Sequence, residues 1–143
     1  MPITYLISAY FGLNIIFSDN AQKTCGIEQE SRVDKVSTVV GCQYGKTIVL
    51  QLGRSEKEMN HTLGHEEGHF LFLKDDKVKN VIRRYMPLKT YSKNYNTQDK
   101  IINEMVADYF SDYIYDPDFS KKYPELYELF TKKLDYEKLY FKN

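Results

Sequence analysis

Two hydrophobic periods run along this chain and divide it into strands and helices. Ser37–Gln43 and Thr47–Leu52 are β-type runs; in the second, Ile48, Leu50 and Leu52 alternate with Thr47, Val49 and Gln51 at period two. Tyr44-Gly45-Lys46 between the runs predicts a hairpin, and Asn14–Ser18 predicts a further short strand. Helical spacing governs most of the rest. Ser55 and Glu58 form an S-x-x-E capping box that opens a helix from Glu56 to Leu73, anchored by Met59, Leu63, Phe70 and Leu73. Ile101, Ile102, Met105, Tyr109, Phe110 and Tyr113 repeat along a second long helix, opened by Thr97 or Asp99 and stopped by Asp116-Pro117. Pro124 starts a last helix with Leu126, Tyr127, Phe130 and Leu134 on its apolar side. At the other end, Pro2 to Phe11 predicts a short helix with Leu6, Ile7, Tyr10 and Phe11 facing inward, ended by Gly12. Ala21–Asp34 is polar and aperiodic and is expected to be loop. Lys74–Asn96 is a charged connection containing Pro87, with room for a short helix at Val78–Tyr85. The expected fold is α+β: one domain over residues 1–143, with a small sheet of three or so strands against two long helices and an extra C-terminal helix.

Composition narrows the partners. The chain has 143 residues, enough for one core, and balances 20 Lys+Arg against 20 Asp+Glu. That balance offers neither a nucleic-acid grip nor a polybasic membrane patch, both of which need clustered positive charge. The apolar run Ile3–Phe17 has no basic residue before it, is broken by Ser8, Gly12 and Asn14, and falls short of the ~20 residues of a membrane span. The setting expected from this is cytoplasmic. The two cysteines, Cys25 and Cys42, form no CxxC pair and are expected to be reduced thiols. Thirteen tyrosines read mainly as compositional drift.

Candidate chemistry concentrates in His65-Glu66-Glu67-Gly68-His69, an H-E-x-x-H sequence inside a helix. Residues four apart share a helical face, so both imidazoles can reach one ion at the ~2.0–2.1 Å of a Zn–N bond. Glu66 projects near the same point and can take a proton from a metal-bound water, whose pKa zinc lowers to about 7. A catalytic zinc needs a third protein ligand and an open position. His61 is on the same helix, but about 12 Å from His69 along the axis, which is too far to share an ion. The better source is the second long helix, where Glu104 and Asp108 share a face in Asn103-Glu104-Met105-Val106-Ala107-Asp108. One carboxylate can complete the metal shell while the other orients a ligand imidazole, and small Ala107 lets the helices approach. Two imidazoles and a carboxylate would also accept manganese, iron or cobalt.

HEEGH followed by NEMVAD resembles the gluzincin metallopeptidases. That resemblance implies a zincin-like fold with His65, His69 and Glu104 as ligands of one zinc ion, Glu66 as general base and Asp108 behind a ligand. The ImmA/IrrE short metallopeptidases resemble a longer stretch of the chain: YLISAYFGLNIIF, a hairpin ending in TIVLQL, then TLGHEEGHFLF and the Glu104–Phe110 segment. Asp108 stands where Asn is common in that family. The implied activity is a cytosolic endopeptidase acting on a regulatory protein such as a helix-turn-helix repressor. The chain also resembles anthrax lethal-factor-like peptidase domains through HEEGHF and Pro124-Glu125-Leu126-Tyr127; in those, a Tyr ahead of the Glu helix assists the transition state. Tyr95, or else Tyr91, is the matching candidate here, although the spacing from Tyr95 is longer than that family's. The edge of Thr47–Leu52 is a place where an extended substrate could add as a strand. Two other functions compete: a regulatory module that holds zinc and cleaves nothing, and a lethal-factor-like peptidase with another protein substrate.

Overall fold

A computed structural model describes residues 2–26, 39–85 and 98–135. In chain order these form α1 (Ile3–Tyr10), β1 (Asn14–Ser18), α2 (Ala21–Cys25), β2 (Gly41–Tyr44) and β3 (Thr47–Gln51). They continue with α3 (Glu56–Phe72), α4 (Asp76–Tyr85), α5 (Gln98–Tyr115), α6 (Phe119–Lys122) and α7 (Pro124–Leu134). The architecture is α+β, mostly helical, with one three-stranded mixed sheet among the described residues.

The strand order is β1-β3-β2. β3 runs parallel to β1, from Asn14 opposite Thr47 to Ser18 opposite Gln51, and antiparallel to β2, from Gly41 opposite Leu50 to Tyr44 opposite Thr47. Both sides of β3 are therefore paired, which overturns the expectation that an extended substrate could add there. The two-faced burial of β3 follows from the same position. Ile48 and Leu50 pack with Leu13 and Leu63, while Val49 points the other way and packs with Ala21 and Cys42 beneath α2. Leu52, expected inside, lies past the strand end and is exposed. The hairpin turn is tight, with Gly45 at φ +53°, a region open to glycine at little cost.

α3 begins with the expected capping box: the Ser55 hydroxyl accepts from the Glu58 N–H at 3.1 Å, and the Ser55 N–H donates to Glu58 Oε1 at 3.3 Å. It is covered by β2 and β3 on one side, α1 on another and α5 on a third. Its buried positions include Thr62, Gly64, Glu66, Glu67 and Gly68, so a small or polar residue often stands where a simple amphipathic helix would place Leu. α1 keeps Ile7 buried, with Tyr10 and Phe11 packed against the core as expected, but it also buries two polar residues. Thr4, Ile7 and Ser8 are its buried residues, because its inner side meets polar positions of α3. Behind α5, Phe72, Phe110, Tyr113, Phe119 and Phe130 form an aromatic cluster that α6 and α7 close. Tyr109 and Tyr113 belong to this core, so part of the tyrosine usage is structural. α2 and α6 were not foreseen. Asn20 caps α2 by accepting from the Lys23 N–H, and Gly26 at φ +63° ends it.

Cys25 and Cys42 form a disulfide with Cα atoms 6.2 Å apart, which corrects the expectation of two free thiols. The polar, aperiodic Ala21–Asp34 segment hides the link in the sequence; as a helix, α2 presents Cys25 to the β2 face opposite α3. A bridge closing a loop of this length, 17 residues in sequence separation, stabilises by about 3 kcal/mol through the unfolded chain. The Cys25→Ser, Cys42→Ser double variant is therefore expected to lose about that much in urea unfolding. Unchanged stability would mean that the loop ends are already held by other contacts. No described helix is long and apolar enough to cross a membrane.

Candidate metal centre

Among the described residues α3 and α5 make the most extensive helix contact, and small residues allow it. A Cβ at Gly68 would lie 3.0 Å from Ala107 Cα and 3.0 Å from Phe110 Cβ. Two backbones are thus brought together at the point where H-E-x-x-H meets N-E-x-x-A-D. Gly68→Ala would gain up to about 1 kcal/mol of helix propensity but must displace backbone, and overpacking of that kind costs about 1–3 kcal/mol. The clash wins. The variant is expected to be less stable by chemical denaturation and to bind metal more weakly, because the helix carrying Glu104 is pushed away.

Across this crossing Glu104 bridges the two histidines. Its Oε2 lies 3.2 Å from His65 Nε2 and its Oε1 lies 2.9 Å from His69 Nε2. The rings stand edge-on, 84° apart with centroids at 4.8 Å, so both ε nitrogens turn toward the same carboxylate. On the far side of its ring, His65 Nδ1 lies 2.9 Å from Asp108 Oδ1. The three converging side chains keep 16–18% of their surface open, which leaves an approach from solvent. Glu66 is buried on α3, and its carboxylate offers an oxygen that lies, with atoms of His65 and His69, within one 4.8 Å cluster.

The electrostatics match that geometry. Burial would lower the His65 pKa, but hydrogen bonds to Asp108 and then to Glu104, with the negative charges of Glu66 and Glu104, lift it to about 10. For Glu104, burial acts upward and is outweighed by hydrogen bonds from His65 and His69, which hold the carboxyl well below its usual range. Both ring nitrogens of His65 thus face carboxylates, Nδ1 toward Asp108 and Nε2 toward Glu104. The arrangement is a cation site of one positive ring between acids, in which a metal would replace the ε proton.

The residues fit a divalent metal. Tetrahedral zinc with ~2.0–2.1 Å bonds spaces its ligand atoms about 3.3 Å apart; Glu104 meets His65 at 3.2 Å through Oε2 and His69 at 2.9 Å through Oε1, and the donor groups that close within 4.8 Å are His65 with Glu66 and His69, and His65 with Glu104 and Asp108. Asp108, holding Nδ1–H of His65, does what the carboxylate behind a metal-bound histidine does: it fixes the tautomer and leaves Nε2 free to ligate. Two nitrogens and one oxygen from α3 and α5 would hold the ion, with Glu66 beside it.

The other candidates fall elsewhere. His61 does not join the cluster: its ring stacks on Tyr115 at 4.2 Å, and its Nδ1 lies 3.2 Å from the Ser111 hydroxyl. Tyr91 and Tyr95 lie outside the described residues. One buried group escaped sequence reading. Glu67, between the two histidines, turns away from them and accepts a 2.6 Å hydrogen bond from the Ser8 hydroxyl on α1. It is fully buried, and burial pushes its carboxyl pKa well above the usual range despite the Ser8 bonds. No spacing rule marks it, since only the docking of α1 gives it a partner. No protein-family model, curated protein or solved structure matches the chain.

Proposed function

We propose that this protein is a zinc-dependent endopeptidase whose metal is held by His65, His69 and Glu104. The observation that supports it most is the bridging of both H-E-x-x-H imidazoles by a carboxylate from a separate helix, with Asp108 behind one ring and Glu66 alongside. A structural zinc site would favour four closed Cys/His ligands; this donor set has three and an approach from solvent.

Zinc bound here would supply a Lewis acid and bring a coordinated water's pKa toward 7. The chain's own residues do the rest. Glu66 takes a proton from the attacking water and returns it to the departing amine nitrogen, one carboxyl group serving as base and then acid. Asp108 keeps the His65 ring in the tautomer that ligates. Glu66 is buried beside the two rings, within reach of the same point.

The substrate is a protein or peptide, with no nucleic acid or membrane partner. The first reading is the ImmA/IrrE-like one, a cytoplasmic peptidase that cleaves a regulatory protein such as a helix-turn-helix repressor. The Cys25–Cys42 bridge favours a second, a lethal-factor-like peptidase with another protein substrate, because such bridges persist where thiols are kept oxidised. Maleimide labelling of protein trapped from its native setting separates the two, full labelling before reduction supporting the first. The activity itself is tested by incubating the zinc-loaded protein with a proteome-derived peptide library and sequencing the new termini. Cleavage that a chelator stops and zinc restores is expected. An unchanged library would leave the zinc-holding regulatory module in its place.

A further inference from the structure

Beyond the metal centre, an open groove of about 810 Å³ lies where the β2–β3 turn meets the end of α3, the start of α4 and the last turn of α7. Its floor is apolar, with Phe70 and Leu71, and exposed Leu73 stands at its rim. Four lysines surround it: Lys46 from the turn, Lys74 and Lys77 from the α3–α4 junction, and Lys133 from α7. None of the four ammonium groups is ion-paired to a described residue. Two acids share the groove. Asp75 is engaged as the cap of α4, its Oδ1 accepting from the Val78 N–H at 3.1 Å, and Asp76 is in the first turn of that helix, where the dipole complements its charge. Cationic charge is thus in excess, in a protein whose overall charge is zero.

The groove is connected to the chemistry by β2. A Cβ at Gly41 would lie 3.8 Å from Glu66 Cγ, while Gln43 and Gly45 line the groove. At about 3.3 Å per residue, roughly 7–13 Å along β2 and its turn separate Gly41, beside the proposed base, from the groove-lining Gln43 and Gly45. An extended polypeptide spans that distance with two to four residues.

We propose that this groove binds an acidic segment of the polypeptide substrate, carrying one apolar or aromatic side chain, a few residues from the bond to be cleaved. The site selects by charge around a hydrophobic floor: the lysines neutralise Asp and Glu side chains while Phe70, Leu71 and Leu73 receive the apolar one. The substrate role rests on the peptidase reading; the ligand class does not.

Binding therefore serves as the first test, on the Glu66→Gln protein, which cannot consume the probe. A fluorescein-labelled peptide alternating Asp and Glu around a single Phe is titrated and read by anisotropy, beside the same peptide with Lys in place of the acids. The acidic probe should bind and weaken with added salt, and the Lys probe should not. Lys46→Gln, Lys77→Gln and Lys133→Gln together should weaken the acidic probe about tenfold, with an unchanged melting curve because all three side chains are exposed. Equal binding by the triple variant, or equal binding of the two probes, overturns the proposal. In the zinc-loaded wild type, placing the acidic stretch two to four residues from the cleaved bond should lower KM and leave kcat alone. If the probe binds as described while no peptide is ever cut, the groove stands and the peptidase reading falls.

Discussion

Replacing Glu66 by Gln is expected to lower peptide hydrolysis by about 10²–10⁴-fold while zinc stays bound at one ion per chain. The amide preserves the size and burial of a side chain that is 2% exposed, so the helix crossing should survive. What is lost is the ability to take a proton from water and give it to the amine. A loss in kcat with KM held would place the defect in the chemical step. Should the variant retain its biological effect in a cell while its hydrolysis is gone, the protein acts by binding and the metal is regulatory.

The second large effect concerns metal affinity. Removing His65, His69 or Glu104 takes away a ligand, whereas Asp108→Ala removes only the support behind His65. The ligand variants should lose zinc at concentrations that saturate the wild type, and Asp108→Ala should retain it with about 10–100-fold weaker affinity. Calorimetry in buffers of different ionisation heat should also show a proton released on loading near neutral pH, since His65 must give up the proton it donates to Glu104. Affinity should accordingly fall as pH falls. The metal-free protein has the opposite preference. Stabilisation from the raised His65 pKa is complete below the ordinary histidine value of 6.5 and fades as pH rises toward about 10. That from the lowered Glu104 pKa is present above the ordinary value of 4.5 and fades at more acid pH. The pair therefore supports the metal-free fold best between 4.5 and 6.5, and zinc should raise the melting temperature most above that window.

Much of the site's placement is legible in the sequence because it is local. The spacing of His65 and His69 on one helix is a matter of helical period, and Ser55 with Glu58 marks where that helix begins. The approach of Glu104 is a tertiary fact, yet it leaves a sequence trace in Gly68 and Ala107, the small residues at the crossing. Period-two alternation found β3 but not its rank in the sheet, because pairing partners are set by chain path; a central strand with one apolar face and Val49 on the other looks like an edge strand. The same limit hid the disulfide and the Ser8–Glu67 bond, which join segments 17 and 59 residues apart. In α1, hydrophobicity marks Ile7, Tyr10 and Phe11 but not Thr4 and Ser8, which are buried because they meet the flank of α3.

Anomalous diffraction at the zinc edge, on crystals of the zinc-loaded protein, addresses the metal reading without reference to any substrate. One peak is expected within about 2.0–2.2 Å of His65 Nε2, His69 Nε2 and an oxygen of Glu104, with Glu66 outside bonding distance. A chain that takes up no zinc, or a peak held by other residues while Glu104 keeps its contacts to both rings, would contradict it.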